Sequence, residues 1–202
     1  MGGLHSAEIL LYSVDFHEIE QLQRAGNWAA AGEKLSNVAS VLESAGADFI
    51  VLCTNTMHKV ALEIETAIRI PLLHIADPTA DEIKRAGFKT VGLLGTRFTM
   101  EQDFYKDRLR VRHGLHVLTP NAQDRDTIHR VIYEELCLGK VTTESRADYR
   151  RIMAELVRLG SEAIILGCTE ISLLVENQDS RVPLFDTTII HARQAAEWAA
   201  VL

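Results

Sequence analysis

The sequence predicts an α/β fold with parallel sheets. Short β-branched or apolar runs alternate with longer amphipathic runs, which is the pattern of parallel strands covered by helices. A glycine stands just past several of the amphipathic runs, where a residue in the left-handed conformation commonly ends a helix. These glycines are Gly46, Gly87, Gly114, Gly139 and Gly160.

A partial internal repeat indicates that the fold has two related halves. "FIVLCTNT" leads through a helical stretch to "IPLLHIADPT", and "AIILGCTE" leads through a shorter one to "VPLFDTT". Two such units favour a pair of pseudo-symmetric lobes, each with one cysteine. Chance similarity between two α/β units is the alternative. We place the first lobe at residues 1–88, joined by the C-terminal helix at 187–202, and the second lobe at 89–186.

Each element follows from its own pattern. Runs rich in Val, Ile and Leu predict strands, in chain order Ala7–Val14, Asp48–Cys53, Pro71–Ile75, Thr90–Leu94, Leu115–Leu118, Glu162–Gly167 and Pro183–Phe185. Amphipathic spacing predicts helices between them, in chain order Trp28–Ala45, Thr56–Ala67, Thr79–Ala86, Met100–His113, Asp124–Leu138, Glu144–Leu159, Glu170–Val175 and Thr188–Ala200. No linker rich in Pro, Gly or Ser divides the chain, so we expect the lobes to pack together.

Composition excludes several classes of function. With 202 residues, of which 47% are hydrophobic, the chain can bury a sizeable core. Its net charge of -7 disfavours a nucleic-acid partner, because such binding relies on clustered Lys and Arg. No apolar stretch approaches the ~20 residues that span a bilayer, and the first residues lack a secretory signal pattern. We therefore expect a cytoplasmic protein with no membrane partner.

The cysteine and histidine spacing predicts no metal site. The chain has three cysteines and no C-x-x-C pair, which suits a reducing compartment and excludes a zinc cage built mainly from thiolates. The histidines His58, His74 and His191 are not spaced as a metal set. We interpret each of them as a local hydrogen bonder, so each thiol needs its own explanation.

Cys53 and Cys168 each end a predicted strand, where ligand chemistry gathers in a parallel sheet. The turns that follow contain helix-capping residues, whose neighbouring backbone N–H groups attract anions and can help a thiol toward the thiolate. Two thiols on opposite faces of a carbon that bears an amino group and a carboxylate could invert its configuration. One sulfur would remove the proton while the other delivers a proton to the far face.

Less specific interpretations compete with this one. A cysteine after an apolar strand is often a small buried hydrophobe. Cys137 lies on a predicted apolar stripe with Ile132 and Leu136, and it serves as the control thiol without polar neighbours. In "VGLLGTRFT", Thr96 and Thr99 could donate hydrogen bonds to a carboxylate or simply cap a helix.

A further polar group follows the first predicted strand. Ser13, Asp15 and His17 in "YSVDFHEIE" could cap a turn or select a substrate side chain. Both interpretations stay open.

The motifs "VLCTNTMHKV", "LLGTRFTMEQDFY", "EELCLG" and "GCTEISLLV" together resemble the aspartate/glutamate racemase family of cofactor-independent amino-acid racemases. The resemblance implies two flavodoxin-like lobes with the site between them, a homodimer, no pyridoxal phosphate and no metal. It implies racemisation of an acidic amino acid, with Cys53 and Cys168 as the acid/base pair. Asn55, Thr56, Thr96 and Thr99 match its substrate-binding positions, and Thr169 and Glu170 flank the second cysteine. The substrate-binding residues that we predict are therefore Thr54, Asn55, Thr56, Thr96, Thr99, Thr169 and Glu170.

One departure from the family pattern affects the first lobe. Relatives begin with an additional strand, glycine-rich loop and helix, whose counterpart in the second lobe is "TVGLLGTRFTMEQDFYKDRL". We interpret this chain as starting after that unit, and we therefore expect an N-terminally truncated first lobe. Related carbanion chemistry is one alternative function, as in hydantoin racemases, arylmalonate decarboxylases or maleate isomerases. A catalytically silent amino-acid binder is the other.

Overall fold

Contacts within the chain define two compact units in the computed structural model, which describes residue 4 and residues 6–201. Unit 1 comprises the described residues of Met1–Leu52, Met57–His74 and Arg193–Leu202. Unit 2 comprises Cys53–Thr56 and Ile75–Ala192. These limits differ from the predicted lobes 1–88 and 89–186. Residues between 75 and 88 belong to unit 2 because Ile75, Ala80 and Ile83 pack in the same core cluster as Val91 and Leu93.

Unit 1 is mainly helical. Its elements are helices α1 (Phe16–Arg24), α2 (Trp28–Ser44) and α3 (Ala61–Ala67), with strands β1 (Ile50–Val51) and β2 (Leu72–Leu73). The two strands pair in parallel, with Ile50 opposite Leu72. The core of unit 1 lies where the apolar faces of α1, α2 and α3 meet β1, around Ile19, Leu35 and Ile64. Its two strands are only two residues long, so its buried core comes mainly from helix packing.

The predicted strand at Ala7–Val14 is wrong. Residues 6–15 form no strand, and the side chains of Ile9 and Leu11 are 81% and 84% exposed. An apolar alternating pattern describes one edge of a ladder, whereas a strand also requires a neighbouring strand, which the pattern cannot reveal.

The sequence analysis also missed helix α1, whose N-cap is Asp15. The Asp15 carboxylate accepts a hydrogen bond from the backbone N–H of His17. Capping is therefore what Asp15 does.

Unit 2 contains a four-stranded parallel sheet. The strands are β3 (Thr90–Gly95), β4 (His116–Leu118), β5 (Ala163–Gly167) and β6 (Leu184–Asp186), in the spatial order β4-β3-β5-β6. Its helices are α4 (Ala76–Arg85), α5 (Arg97–Glu101), α6 (Asp103–Asp107), α7 (Ala122–Glu134), α8 (Thr143–Arg158) and α9 (Thr187–Ala199), the last of which continues into unit 1. The α/β class with parallel sheets is confirmed.

Both faces of this sheet are buried, as a parallel sheet requires. Leu94, Ile164 and Leu166 pack in one cluster with residues of α7 and α8. Val91 and Ile165 point to the other face and pack in a second cluster with residues of α4 and α6. Alternate residues of β3 and β5 therefore serve opposite cores, which fixes the register of the central strands.

Several predicted helices are shorter or broken. The stretch Met100–His113 divides into the end of α5, α6 and a π-helical turn at Arg108–Arg112. The stretch Glu170–Val175 contains only a 3-10 turn, Ile171–Leu173, and Thr56–Ala67 begins with a 3-10 helix, Thr56–Val60, before α3. The five glycines predicted to end helices all have positive φ, between 71° and 106°. Among the helices of the described residues, none is long and apolar enough to cross a membrane.

Candidate active site

The candidate site is built on the carboxyl ends of β3 and β5. These strands are neighbours, and their last residues, Gly95 and Gly167, are register partners. A Cβ atom on Gly95 would lie 2.7 Å from the carbonyl oxygen of Gly167, and one on Gly167 would lie 2.8 Å from the carbonyl oxygen of Leu94. Only glycine fits where the two strands come this close. Because the strands are neighbours, the residues that follow, Thr96 and Cys168, begin at adjacent strand ends.

The loop Cys53–Thr56 is hydrogen-bonded to the same sheet edge. The Asn55 Nδ2 group donates to Thr187 Oγ1 at 3.0 Å, and the Thr187 hydroxyl donates to the carbonyl oxygen of Leu166 at 2.8 Å. Thr187 directly follows β6, and Leu166 lies in β5. This chain of bonds holds the first cysteine loop over the ends of β5 and β6, and both cysteine loops thus belong to unit 2.

Three buried threonines form a hydroxyl cluster at this edge. Thr56 Oγ1 lies 2.9 Å from Thr96 Oγ1 and 3.4 Å from Thr99 Oγ1, and the last two oxygens are 3.2 Å apart. All three side chains are at most 5% exposed. Thr96 is also the N-cap of α5 and accepts from the backbone N–H of Thr99. These contacts therefore join the loop after Cys53 to the segment after β3. Thr96 both caps α5 and belongs to the hydroxyl cluster.

Cys168 is buried and hydrogen-bonded to an acidic side chain. Its Sγ donates to Glu170 Oε2 at 3.0 Å, and the residue is 8% exposed. Burial, together with the negative charge of Glu170, raises the pKa of the Cys168 thiol well above its ordinary value. Cys168 is therefore held in the protonated form at neutral pH.

Cys53 is in a different environment. It is exposed, although partial burial of its sulfur still raises the pKa of its thiol. Burial therefore acts against the helix N-termini, which the sequence analysis expected could help both thiols toward the thiolate. The segments after Cys53 and Cys168 begin with short 3-10 turns, and burial outweighs whatever attraction they exert.

Cys137, the control thiol, which the sequence allowed to be a core or a surface residue, is a surface thiol. It lies in a 3-10 turn, Leu136–Leu138, just after α7, and it is exposed. Burial of its sulfur and the charge of Glu170 raise the pKa of this thiol to about 11. The Glu170 carboxylate therefore raises the pKa of two thiols, and its effect on Cys137 could not be predicted because these two residues are distant in the chain.

The remaining predicted residues have less specific surroundings. Thr54 and Thr169 are both half-buried, in the loops that carry Cys53 and Cys168. His58 and His74 are buried in unit 1 with their ring centroids 4.2 Å apart. Within residue 4 and residues 6–201, no group of three or more His, Cys, Asp or Glu side chains is arranged to hold a metal ion.

Sequence reasoning missed two features of the site. Thr187 was treated only as the start of the C-terminal helix, although its position after an apolar strand matches that of the other site residues. The Asn55 Oδ1 atom is buried and has no hydrogen-bond partner among the described residues. An acceptor in that condition costs about 1–3 kcal/mol, which a ligand donor would recover.

Parallel sheets, and two cysteines that each follow a strand and are directly followed by a threonine, agree with an amino-acid racemase fold. The chain belongs to the Asp/Glu/hydantoin racemase family, whose family model matches residues 1–195. A crystal structure of a candidate Asp/Glu racemase from Yersinia pestis is 59% identical, with a TM-score of 0.92 over 99% of this chain and 87% of that one. An aspartate racemase homologue from Pyrococcus horikoshii OT3 is 34% identical, with a TM-score of 0.84 at the same coverage of both chains.

A curated relative with a named activity is more distant. The broad specificity amino-acid racemase RacX from Bacillus subtilis is 26% identical over 159 residues, which make up 75% of this chain. The chain spans 65% of the length of that relative.

Proposed function

We propose that this protein racemises an acidic amino acid, aspartate or glutamate, by two-cysteine proton transfer at the α-carbon and without pyridoxal phosphate. The observation that carries the proposal is that Cys53 and Cys168 lie on loops after β1 and β5, and that hydrogen bonds hold the first loop at the carboxyl edge of the four-stranded sheet. Family membership and the Asp/Glu racemase names of similar solved structures support the substrate class. The predicted homodimer stays a prediction.

The polar groups of the site suit the backbone of an amino acid. The hydroxyls of Thr56, Thr96 and Thr99 each have one proton and can accept as well as donate, so rotation of one hydroxyl turns its proton toward a bound carboxylate. The unsatisfied Oδ1 of Asn55 is an acceptor suited to the α-ammonium group. Thr54 and Thr169 complete the proposed binding set, while Glu170 contacts a sulfur.

Proton transfer then proceeds without a covalent intermediate. The Cys53 thiolate removes the α-hydrogen, and the electron pair of the broken C–H bond spreads into the substrate carboxylate. The Cys168 thiol gives its proton to the opposite face of the α-carbon, which inverts the configuration and leaves Cys168 as the thiolate. The enantiomer reacts through the same steps in reverse. Donors at the carboxylate stabilise the charge that develops in the transition state.

Isotope exchange tests the proposal directly. We expect that L-aspartate or L-glutamate incubated with the protein in deuterated water gains α-deuterium and yields the D-enantiomer, measured by mass spectrometry and chiral chromatography. The panel includes neutral amino acids, a hydantoin, an arylmalonate and maleate. Turnover of one of these compounds in place of both acidic amino acids would redirect the assignment. Stoichiometric binding in calorimetry without any exchange would indicate a silent binder.

Matched cysteine variants test the mechanism. Cys53→Ser and Cys168→Ser should each lower the racemisation rate by about 10²-fold or more, because a hydroxyl is a much poorer acid/base group at neutral pH. Cys137→Ser is the control and should keep most of the activity. Equal rates in all three variants would contradict the two-thiol mechanism.

A further inference from the structure

Helix α5 carries two of the three threonines of the hydroxyl cluster. Thr96 is its N-cap, and Thr99 lies in its first turn. The helix has only five residues, and a helix of this length is not stable by itself in water. The positions of both hydroxyls therefore depend on the residues that hold α5 against the rest of unit 2.

Polar contacts with helix α7 hold α5 in place. Ion pairs join Arg97 to Asp126 at 2.7 Å and Arg125 to Glu101 at 2.9 Å. The side chains of Arg97 and Asp126 are 47% and 63% exposed, and ion pairs as exposed as this stabilise a structure only slightly. A further contact holds the backbone itself, because the N–H group of Arg97 donates to Nδ1 of His129 at 3.2 Å.

The half-buried His129 ring lies where α5 and α7 meet. It is nearly perpendicular to the ring of Phe98 in α5, with centroids 6.0 Å apart, and its centroid is 4.7 Å from that of Tyr133 in α7. The first N–H groups of a helix have no acceptor within the helix, so the Arg97 N–H needs an external one. Nδ1 can accept only while it carries no proton, so the contact requires the neutral ring with its hydrogen on Nε2.

The surroundings of His129 favour this neutral form. Burial, and then the charge of Arg97, lower the pKa of His129 below its ordinary value. The nearby carboxylates of Asp126, Glu101 and Glu134 act in the opposite direction but do not outweigh these two causes. The ring is therefore neutral at neutral pH and gains its second proton only in acid. Once protonated, it has no acceptor for the N–H, and its charge repels the Arg97 guanidinium.

We propose that His129 is a positioning residue, whose neutral ring fixes the start of α5 and with it the hydroxyls of Thr96 and Thr99. This inference rests on the proposed function, in which those hydroxyls bind the substrate carboxylate. His129 acts through the backbone of α5 and not on the substrate itself. Protonation of the ring ends the hold on α5, so the carboxylate site loosens in acid.

Nuclear magnetic resonance tests the state of the ring without any need for activity. In protein labelled with the heavy nitrogen isotope, long-range proton–nitrogen spectra distinguish an imidazole nitrogen that carries a proton from one that does not. The His129 signals are those that are missing in His129→Asn. At neutral pH we expect a proton on Nε2 and none on Nδ1. We also expect this ring to titrate at lower pH than the histidines of the unfolded chain do.

Two substitutions separate the acceptor from the ring. His129→Asn keeps an acceptor oxygen near the place of Nδ1 but does not titrate, whereas His129→Phe keeps an aromatic ring but removes the acceptor. At neutral pH we expect His129→Phe to lower kcat/KM by roughly 2- to 10-fold, which is the effect of one lost hydrogen bond. We expect His129→Asn to lower it less.

The pH dependence of activity tests the effect of protonation. Loss of thiolate in acid lowers kcat/KM in every variant alike, so each variant is compared with the native protein at the same pH. As the pH falls through the titration of His129, the native protein should lose additional activity. The ratio of His129→Asn to native activity should therefore rise, and the deficit of His129→Phe should shrink. His116→Asn, at an exposed position at the start of β4, is the control, and its ratio should stay constant.

The outcomes separate this inference from the proposed function. A protein that racemises normally, but in which the His129→Asn ratio ignores pH or Nδ1 carries the proton, would overturn the inference alone. Equal losses in His129→Asn and His129→Phe would also overturn it, because the acceptor would then not matter. A protein without α-hydrogen exchange would overturn the proposed function, whereas the resonance spectra would still show whether the neutral ring accepts from α5. Thermal unfolding of each variant checks that the fold is retained.

Discussion

The close approach of β3 and β5 leads to a sharp prediction about Gly95. In Gly95→Ala the new Cβ would lie 2.7 Å from the carbonyl oxygen of Gly167 and 3.2 Å from the Cβ of Thr99. The nearest atom is backbone in a central strand, so it cannot rotate away. The strands must separate by a few tenths of an ångström, which moves Thr99 and the start of the Cys168 loop.

Overpacking of a well-packed interior costs about 1–3 kcal/mol. Replacing glycine in a strand by alanine returns roughly 0.5–1 kcal/mol of backbone entropy. We therefore expect Gly95→Ala to lose about 1–2 kcal/mol of unfolding free energy. For a chain of this size that corresponds to a fall in Tm of roughly 2–8 °C, since 1 kcal/mol shifts Tm by about 2–4 °C. We also expect a lower racemisation rate, because the threonine hydroxyl cluster is displaced.

Gly92 in the same strand is the matched control. A Cβ there would lie even closer to its neighbour, 2.6 Å from Ile164 Cδ1, yet that atom is the end of a flexible side chain. Gly92→Ala should therefore lower Tm less than Gly95→Ala does, measured by calorimetry on both proteins. A larger loss in Gly92→Ala, or an unchanged Tm in Gly95→Ala, would refute the reasoning that backbone contact decides the cost.

Two further substitutions test single hydrogen bonds. Thr187→Val removes the hydroxyl that joins Asn55 to Leu166, so we expect lower activity and a loss of about 1–3 kcal/mol in unfolding free energy, whereas Thr187→Ser should retain most of both. Retained activity in Thr187→Val would show that the loop does not depend on this bond. Tyr105→Phe should leave Tm unchanged or raise it, because the fully buried hydroxyl has no hydrogen-bond partner among the described residues. Tyr149→Phe, which loses a bond to Ile128, should lower Tm, and the opposite order would contradict this prediction.

Much of unit 2 could be predicted from sequence. Its strands are continuous apolar runs buried on both faces, so β3 and β5 stood out from their surroundings. The glycines at helix ends were equally clear, because the left-handed conformation strongly favours glycine. Both cysteine loops were placed at strand ends, which the structure confirms for their position after β1 and β5.

The failures share a physical cause, which is that they depend on partners distant in the chain. Ala7–Val14 has the composition of a strand but no ladder, and a composition cannot supply a neighbour. The sequence analysis considered only local helix ends for the two thiols, whereas burial by other parts of the chain raises the pKa of both, and the neighbouring Glu170 adds to this at Cys168. Thr187 was missed because its role is to accept a hydrogen bond from Asn55, a distant residue that no local pattern indicates.

The bond between Asn55 and Thr187 joins residues 132 positions apart. During synthesis the first cysteine loop therefore leaves the ribosome long before the hydroxyl that holds its amide exists. Contacts of such separation form late, after the intervening segments have collapsed. Nascent chains arrested before Thr187 should contain Cys53 and Cys168 yet lack this anchor, so the newly made polypeptide fixes its first cysteine loop only near the end of translation.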